Sequence, residues 1–177
     1  MEMHDKCGFW TLRRKEGMRV FEIAKYIYNR YKKEYGEKID EMKLHKMLYF
    51  AQREAFILTG EALFKEEFSA WKYGPVMEEI RSAYKMCQFD DKTYDYTNVL
   101  TVELTQVMNK VFKDFAHKEA WSLSRISHGE KSWKNARKGV PDYENSSTKM
   151  KTEDIRIDAQ NMKERRRVLK RLNLLHE

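Results

Sequence analysis

Five histidines, two cysteines and a run of arginines are the places where this 177-residue chain could do chemistry. His128-Gly129-Glu130 reproduces the H-x-E of zinc deaminases, but no P-C-x-x-C follows to supply the remaining ligands. His128 is therefore read as capping or bridging a helix end. His45 is read as a hydrogen-bonded, half-buried residue one position from an apolar helix face, and His4, His117 and His176 fall in no constellation. Cys7 and Cys87 are too few and too far apart for a disulfide framework or a paired-cysteine metal site. Cys87, beside Met86, reads as a small core residue at a helix end. No G-x-S-x-G, phosphate-binding glycine loop, dinucleotide fingerprint or H-E-x-x-H is present. The expectation is a protein that is not an enzyme and takes no metal or cofactor.

The arginine run is the nucleic-acid candidate. Residues 149–177 hold nine Lys/Arg and five Asp/Glu, a net +4 of the chain's +7. Arg165, Arg166, Arg167, Lys170 and Arg171 could contact phosphates, making binding steeply salt-dependent. Glu153, Asp154, Asp158 and Glu164 are interleaved, however, and no aromatic residue follows Tyr143 to stack on bases. A solvated face on a helix packed through Ile155, Ala159, Met162 and Leu169 is the preferred account. A transcriptional regulator using this helix is the alternative.

The elements that position these groups follow from periodicity. Residues 1–17 read as a weakly ordered tail. Val20, Ile23, Ala24, Ile27, Tyr28 and Tyr31 mark one helix, stopped by Gly36. Asp40 caps a second, with Leu44, Met47, Leu48, Ala51, Ala55 and Leu58 on its buried face. Leu63-Phe64 and Phe68-Ser69-Ala70-Trp71 read as two short strands joined through Lys65-Glu66-Glu67, with Trp71 and Tyr73 on one side. Gly74-Pro75 is expected to open a third helix, buried through Val76, Met77, Ile80, Ala83 and Tyr84. A loop over 88–98 precedes a helix with Leu104, Val107, Met108, Val111, Phe112 and Phe115. A shorter helix from Lys118 to Ser127 carries Ala120, Trp121, Leu123 and Ile126; helical turns follow over 132–137, then a polar connection over 138–150. The last helix starts near Thr152.

The fold class expected is mainly α: a compact single domain of five to six helices with a small β-hairpin between helices 2 and 3, then the basic terminal helix. Seven Gly and two Pro argue against turn-rich β folds, and 41% apolar residues suffice for a core. The absence of an apolar run of roughly 20 residues and of a signal-like start leads to the expectation of a soluble protein of a reducing cytoplasm, with no membrane partner.

Three blocks carry a resemblance. They are Lys43-Leu44-His45-Lys46-Met47-Leu48-Tyr49-Phe50-Ala51-Gln52, Thr59-Gly60-Glu61-Ala62-Leu63-Phe64, and Phe68-Ser69-Ala70-Trp71-Lys72-Tyr73-Gly74-Pro75-Val76. A later block, Ile126-Ser127-His128-Gly129-Glu130-Lys131-Ser132-Trp133-Lys134-Asn135-Ala136-Arg137, keeps the order L-T-H-x-E-x-P-W-x-x-A-R, with Ser127 for Thr and Ser132 for Pro. Together they resemble the Panacea domain, the SocA-like or GepA-type phage-associated family. Residues 18–140 are assigned to that domain and 141–177 to a linker and the basic helix. The resemblance implies an antitoxin of bacteria, prophages or plasmids. Such a protein neutralises a toxin encoded nearby, by binding it or by presenting it to a proteolytic machine. The motif implies no catalytic residues and does not name the toxin. Lys43, Lys46, Tyr49, Trp71, Tyr73, Gly74, Pro75, His128, Glu130 and Trp133 are its candidates, for partner contact or for maintaining the fold. Trp71 and Trp133 are expected to hold the hairpin to the helical body.

Overall fold

A computed structural model describes residues 19–91, 93–97, 99–172 and 174. The proposed tail, with His4 and Cys7, lies outside the described residues, as does His176. Helix α1 (Val20–Tyr35) ends at Gly36, whose φ of 73° lets its N–H reach back to the Lys32 carbonyl. Helix α2 (Glu41–Thr59) starts where the Asp40 carboxylate accepts from the Lys43 N–H at 2.9 Å. Strands β1 (Ser69–Trp71) and β2 (Gly74–Val76) form an antiparallel hairpin, followed by α3 (Glu78–Lys85). Helix α4 (Val102–Val111) runs into a π-helical turn over Phe112–Ala116. Then come α5 (Ala120–His128), α6 (Lys131–Ala136) and α7 (Thr152–Arg171). Among the described residues these are seven α-helices and one hairpin, a mainly α fold with the hairpin between α2 and α3.

Helix α2 is the axis. It packs against α1, α3, α4, α5, α7 and β2, so every residue from Lys43 to Ile57 is buried. An encircled helix has no solvent face, and its polar side chains must find partners inside the protein. His45 is accordingly fully buried, not half-buried, while Leu58, at the open end of the helix, is 50% exposed.

Two further expectations are corrected. Leu63-Phe64 is not a strand. Gln52 takes up its backbone instead: Oε1 accepts from the Leu63 N–H at 2.8 Å, and Nε2 donates to the Phe64 carbonyl at 2.9 Å. A side-chain amide thus does the work of a strand partner. Gly74-Pro75 does not open a helix either. It forms β2, and the hairpin turns at Lys72-Tyr73. Pro75 pairs with Ala70, whose N–H faces away and donates to the Thr148 carbonyl at 2.9 Å, so the missing proline donor is not needed there. The segment over 148–150 lies along the far side of β1, with the Met150 N–H on the Phe68 carbonyl at 2.7 Å. Cys87 is exposed, at φ 55°, and is not a core residue.

Candidate functional site

Two of the motif residues, Lys46 and Trp133, act on hairpin carbonyls, and Ser124 and Arg137 join them there. The Trp133 indole N–H donates to the Trp71 carbonyl at 3.0 Å. Ser124 Oγ donates to Tyr73 at 2.8 Å, Lys46 Nζ to Pro75 at 3.1 Å, and Arg137 Nη1 to Ala70 at 3.1 Å. The Met77 N–H donates to His45 Nδ1 at 3.3 Å, which leaves the proton of this buried imidazole on Nε2. Burial, with Lys46 and Arg81 nearby, pushes His45 down to about 3, so it is neutral. Donors from α2, α5 and the α6 region therefore satisfy four hairpin carbonyls, two of which, on Ala70 and Pro75, would otherwise be buried unpaired.

Gly74 makes the close approach possible. Its φ is 106°, and an added Cβ would stand 2.5 Å from Lys46 Cε and 2.7 Å from Ser127 Oγ. Trp133 ties the hairpin to the body as expected. Trp71 contributes its carbonyl, while its ring lies under the Arg81 guanidinium at 5.1 Å. Tyr73 sits in the turn beyond the strand, so the expected alternation does not reach it. Its ring meets Trp121 of α5 instead.

His128 stacks on Trp133, centroids 4.0 Å apart at 13°. Desolvation first, then Lys46 and Arg137, lower its pKa, so it too is neutral near pH 7. Glu130 is turned the other way, paired with the buried Arg53, so the H-x-E residues serve different partners. Burial raises the Glu130 pKa despite the Arg53 charge. Among the described residues no group of three or more His, Cys, Asp and Glu could hold a metal ion. Lys43 Nζ donates to Tyr31 Oη at 3.0 Å, and Tyr49 Oη lies 3.0 Å from Ser132 Oγ and 3.3 Å from Asp158 Oδ2.

Several residues that hold this arrangement were not among the sequence candidates. Asp158 of α7 is 3% exposed and accepts from the Lys131 and Ser132 N–H groups at 2.8 and 2.9 Å, capping α6 from another helix. Arg137 clamps the Pro141 and Glu144 carbonyls at 2.7 and 2.8 Å besides Ala70. Arg137 stands at the end of a motif block, a signal that was available; Asp158 has none in its own neighbourhood. Of the basic run, Arg166 turns inward and grips the fully buried Glu54 with both nitrogens, at 2.6 and 2.7 Å, with Asp114 at 3.5 Å. Arg167 lies 3.6 Å from Glu164, and Arg165, Lys170 and Arg171 are on the exposed side.

The order of these parts along the chain, from the buried turn of α2 through the hairpin to α6, coincides with one family. The family described as Antitoxin SocA-like, Panacea domain, matches residues 44–134. The chain belongs to this family. No match was found among the curated proteins or among the solved structures. In this Panacea domain the matched stretch contains the encircled helix and the hairpin, while Asp158 and Arg166 reach it from α7, outside the match. Among the described residues no helix is long and apolar enough to cross a membrane.

The buried Lys46 has a measurable consequence. Burial pushes its ammonium down to about 7, from 10.5. The unfolded chain therefore binds more protons than the folded one between these values, and stability rises with pH across that window. The slope is up to about 1.4 kcal/mol per pH unit. Glu130, with its raised pKa, acts in the opposite sense but only at and above the ordinary glutamate range of 4.5. Tyr49, raised well above 10.0 by burial, opposes only above pH 10. Lys46→Met should flatten the rise between about pH 7 and pH 9, as read by urea denaturation at several pH values. An unchanged slope in the variant would assign the dependence to other groups.

Proposed function

We propose that this Panacea domain neutralises a cognate toxin encoded nearby by direct protein–protein contact, either covering the toxin's working surface or delivering it to a proteolytic machine. Family membership over residues 44–134 carries this reading. The geometry supports it: Lys46, Glu130 and Trp133 direct their polar groups at the hairpin or at Arg53, so the motif builds a scaffold whose outer face is left to bind. A stable complex of this kind buries about 1,200–2,000 Å² in total.

Co-expression with the product of the adjacent gene should restore growth and yield a co-purifying pair. A toxin half-life that shortens only when the chain is present assigns delivery to a protease; an unchanged half-life with restored growth assigns direct inhibition. Toxicity that persists unaltered with the chain present would refute the reading.

A further inference from the structure

The outer face of α5 exposes large apolar groups beside the hairpin tip. Trp121 is 59% exposed, Tyr73 47% and Ile126 36%. The Trp121 and Tyr73 rings meet edge to face, centroids 5.2 Å apart at 81°. Beside them Lys118, Ser122, Arg125 and Ile126 line an open depression of about 510 Å³. Lys72 Nζ lies over the Tyr73 ring, 4.7 Å from its centre. Lys72 thus borders the aromatic pair, while Lys118 and Arg125, three residues before and four after Trp121 on the chain, line the depression, with the Glu119 carboxylate next to Lys118 in sequence.

Trp, Tyr and Arg are the side chains that carry most of the energy of protein interfaces. Their cationic border calls for acidic groups on the other side. Crossed rings at 81° offer no pair of parallel faces for successive bases, which favours a polypeptide over a single-stranded nucleic acid.

We propose that this face docks an acidic segment of a protein partner that carries a bulky apolar side chain. The apolar group seats in the depression against Ile126, with the Trp121 ring beside it, and its flanking carboxylates pair with Lys118, Arg125 and Lys72. That this partner is the toxin rests on the antitoxin reading; the surface chemistry does not.

The test titrates the full chain with three probes: a short peptide with one Phe flanked by Asp and Glu, its Lys-flanked counterpart, and a short oligothymidylate. Amide shifts are read at Tyr73, Trp121 and Arg125. The acidic peptide should perturb these amides, and Trp121→Ser and Arg125→Glu should each weaken it about tenfold with the melting temperature retained. Equal binding of the two peptides, or equal binding by the variants, would overturn the proposal. So would preference for the oligothymidylate at this face. In the growth assay, neutralisation that survives both substitutions refutes the toxin as the partner docked here and leaves the antitoxin reading intact. Peptide binding without any neutralisation refutes the antitoxin reading alone.

Discussion

Gly74→Ala is expected to destabilise the protein by roughly 2–5 kcal/mol, combining a left-handed backbone with overpacking. The added methyl would stand 2.5 Å from Lys46 Cε and 2.7 Å from Ser127 Oγ. Neither neighbour is free to step aside. Lys46 is fully buried with its ammonium on the Pro75 carbonyl, and Ser127 Oγ donates to the Ser124 carbonyl at 2.8 Å. Gly36 supplies the control. Its φ of 73° is also left-handed, but an added Cβ there meets nothing within 4 Å. Gly36→Ala should therefore lose only the dihedral term, roughly 1–2 kcal/mol. Urea denaturation of the three proteins decides the matter: equal losses in the two variants would show that the hairpin tolerates a wider gap to α2 and α5.

The same hairpin marks where the sequence was readable and where it was not. Helices α1, α2 and α7 begin within a residue or two of the positions given by Val20, Asp40 and Thr152, because capping and apolar spacing are local signals. Of the two strands expected, Phe68-Ser69-Ala70-Trp71 corresponds to β1, whereas Leu63-Phe64 has strand-like composition but is bonded by Gln52, eleven and twelve residues earlier. Pro75 was misread because proline at a helix start and proline at a non-bonded edge position look alike in sequence. Periodicity also placed Trp121 and Ile126 with the apolar residues of α5. Only Leu123 of these is fully buried, alongside Ser124 and Ser127, whose hydroxyls bond to backbone carbonyls. Hydropathy cannot register a serine that is inside because a carbonyl waits for it, or a lysine inside for the same reason. The candidate site was legible as a set of motif residues. That Lys43, Lys46 and Tyr49 face inward follows from α2 being encircled, a tertiary fact.

Asp158→Ala should be as damaging, with roughly 3–5 kcal/mol lost. The substitution leaves the Lys131 and Ser132 N–H groups without their acceptor and takes one partner from Tyr49, which keeps Ser132 Oγ. Helix α6 has only six residues and receives no side-chain cap from Glu130, so it depends on a carboxylate supplied from α7. Asp158→Asn keeps one acceptor oxygen and should lose clearly less. The pair of variants therefore separates the cap from the volume of the side chain. Because α6 carries Trp133, whose indole N–H holds the Trp71 carbonyl, the loss should spread to the hairpin. Hydrogen exchange at Ala70 and Met150 is the local readout, since their N–H groups bond to Thr148 and Phe68 beside the hairpin. Removing α7 altogether should be worse still. It strips the same cap and leaves Glu54, fully buried in the intact fold, without the Arg166 fork. A chain ending before Thr152 that melted cooperatively near the full-length temperature would show that the matched stretch, residues 44–134, needs nothing from the last helix.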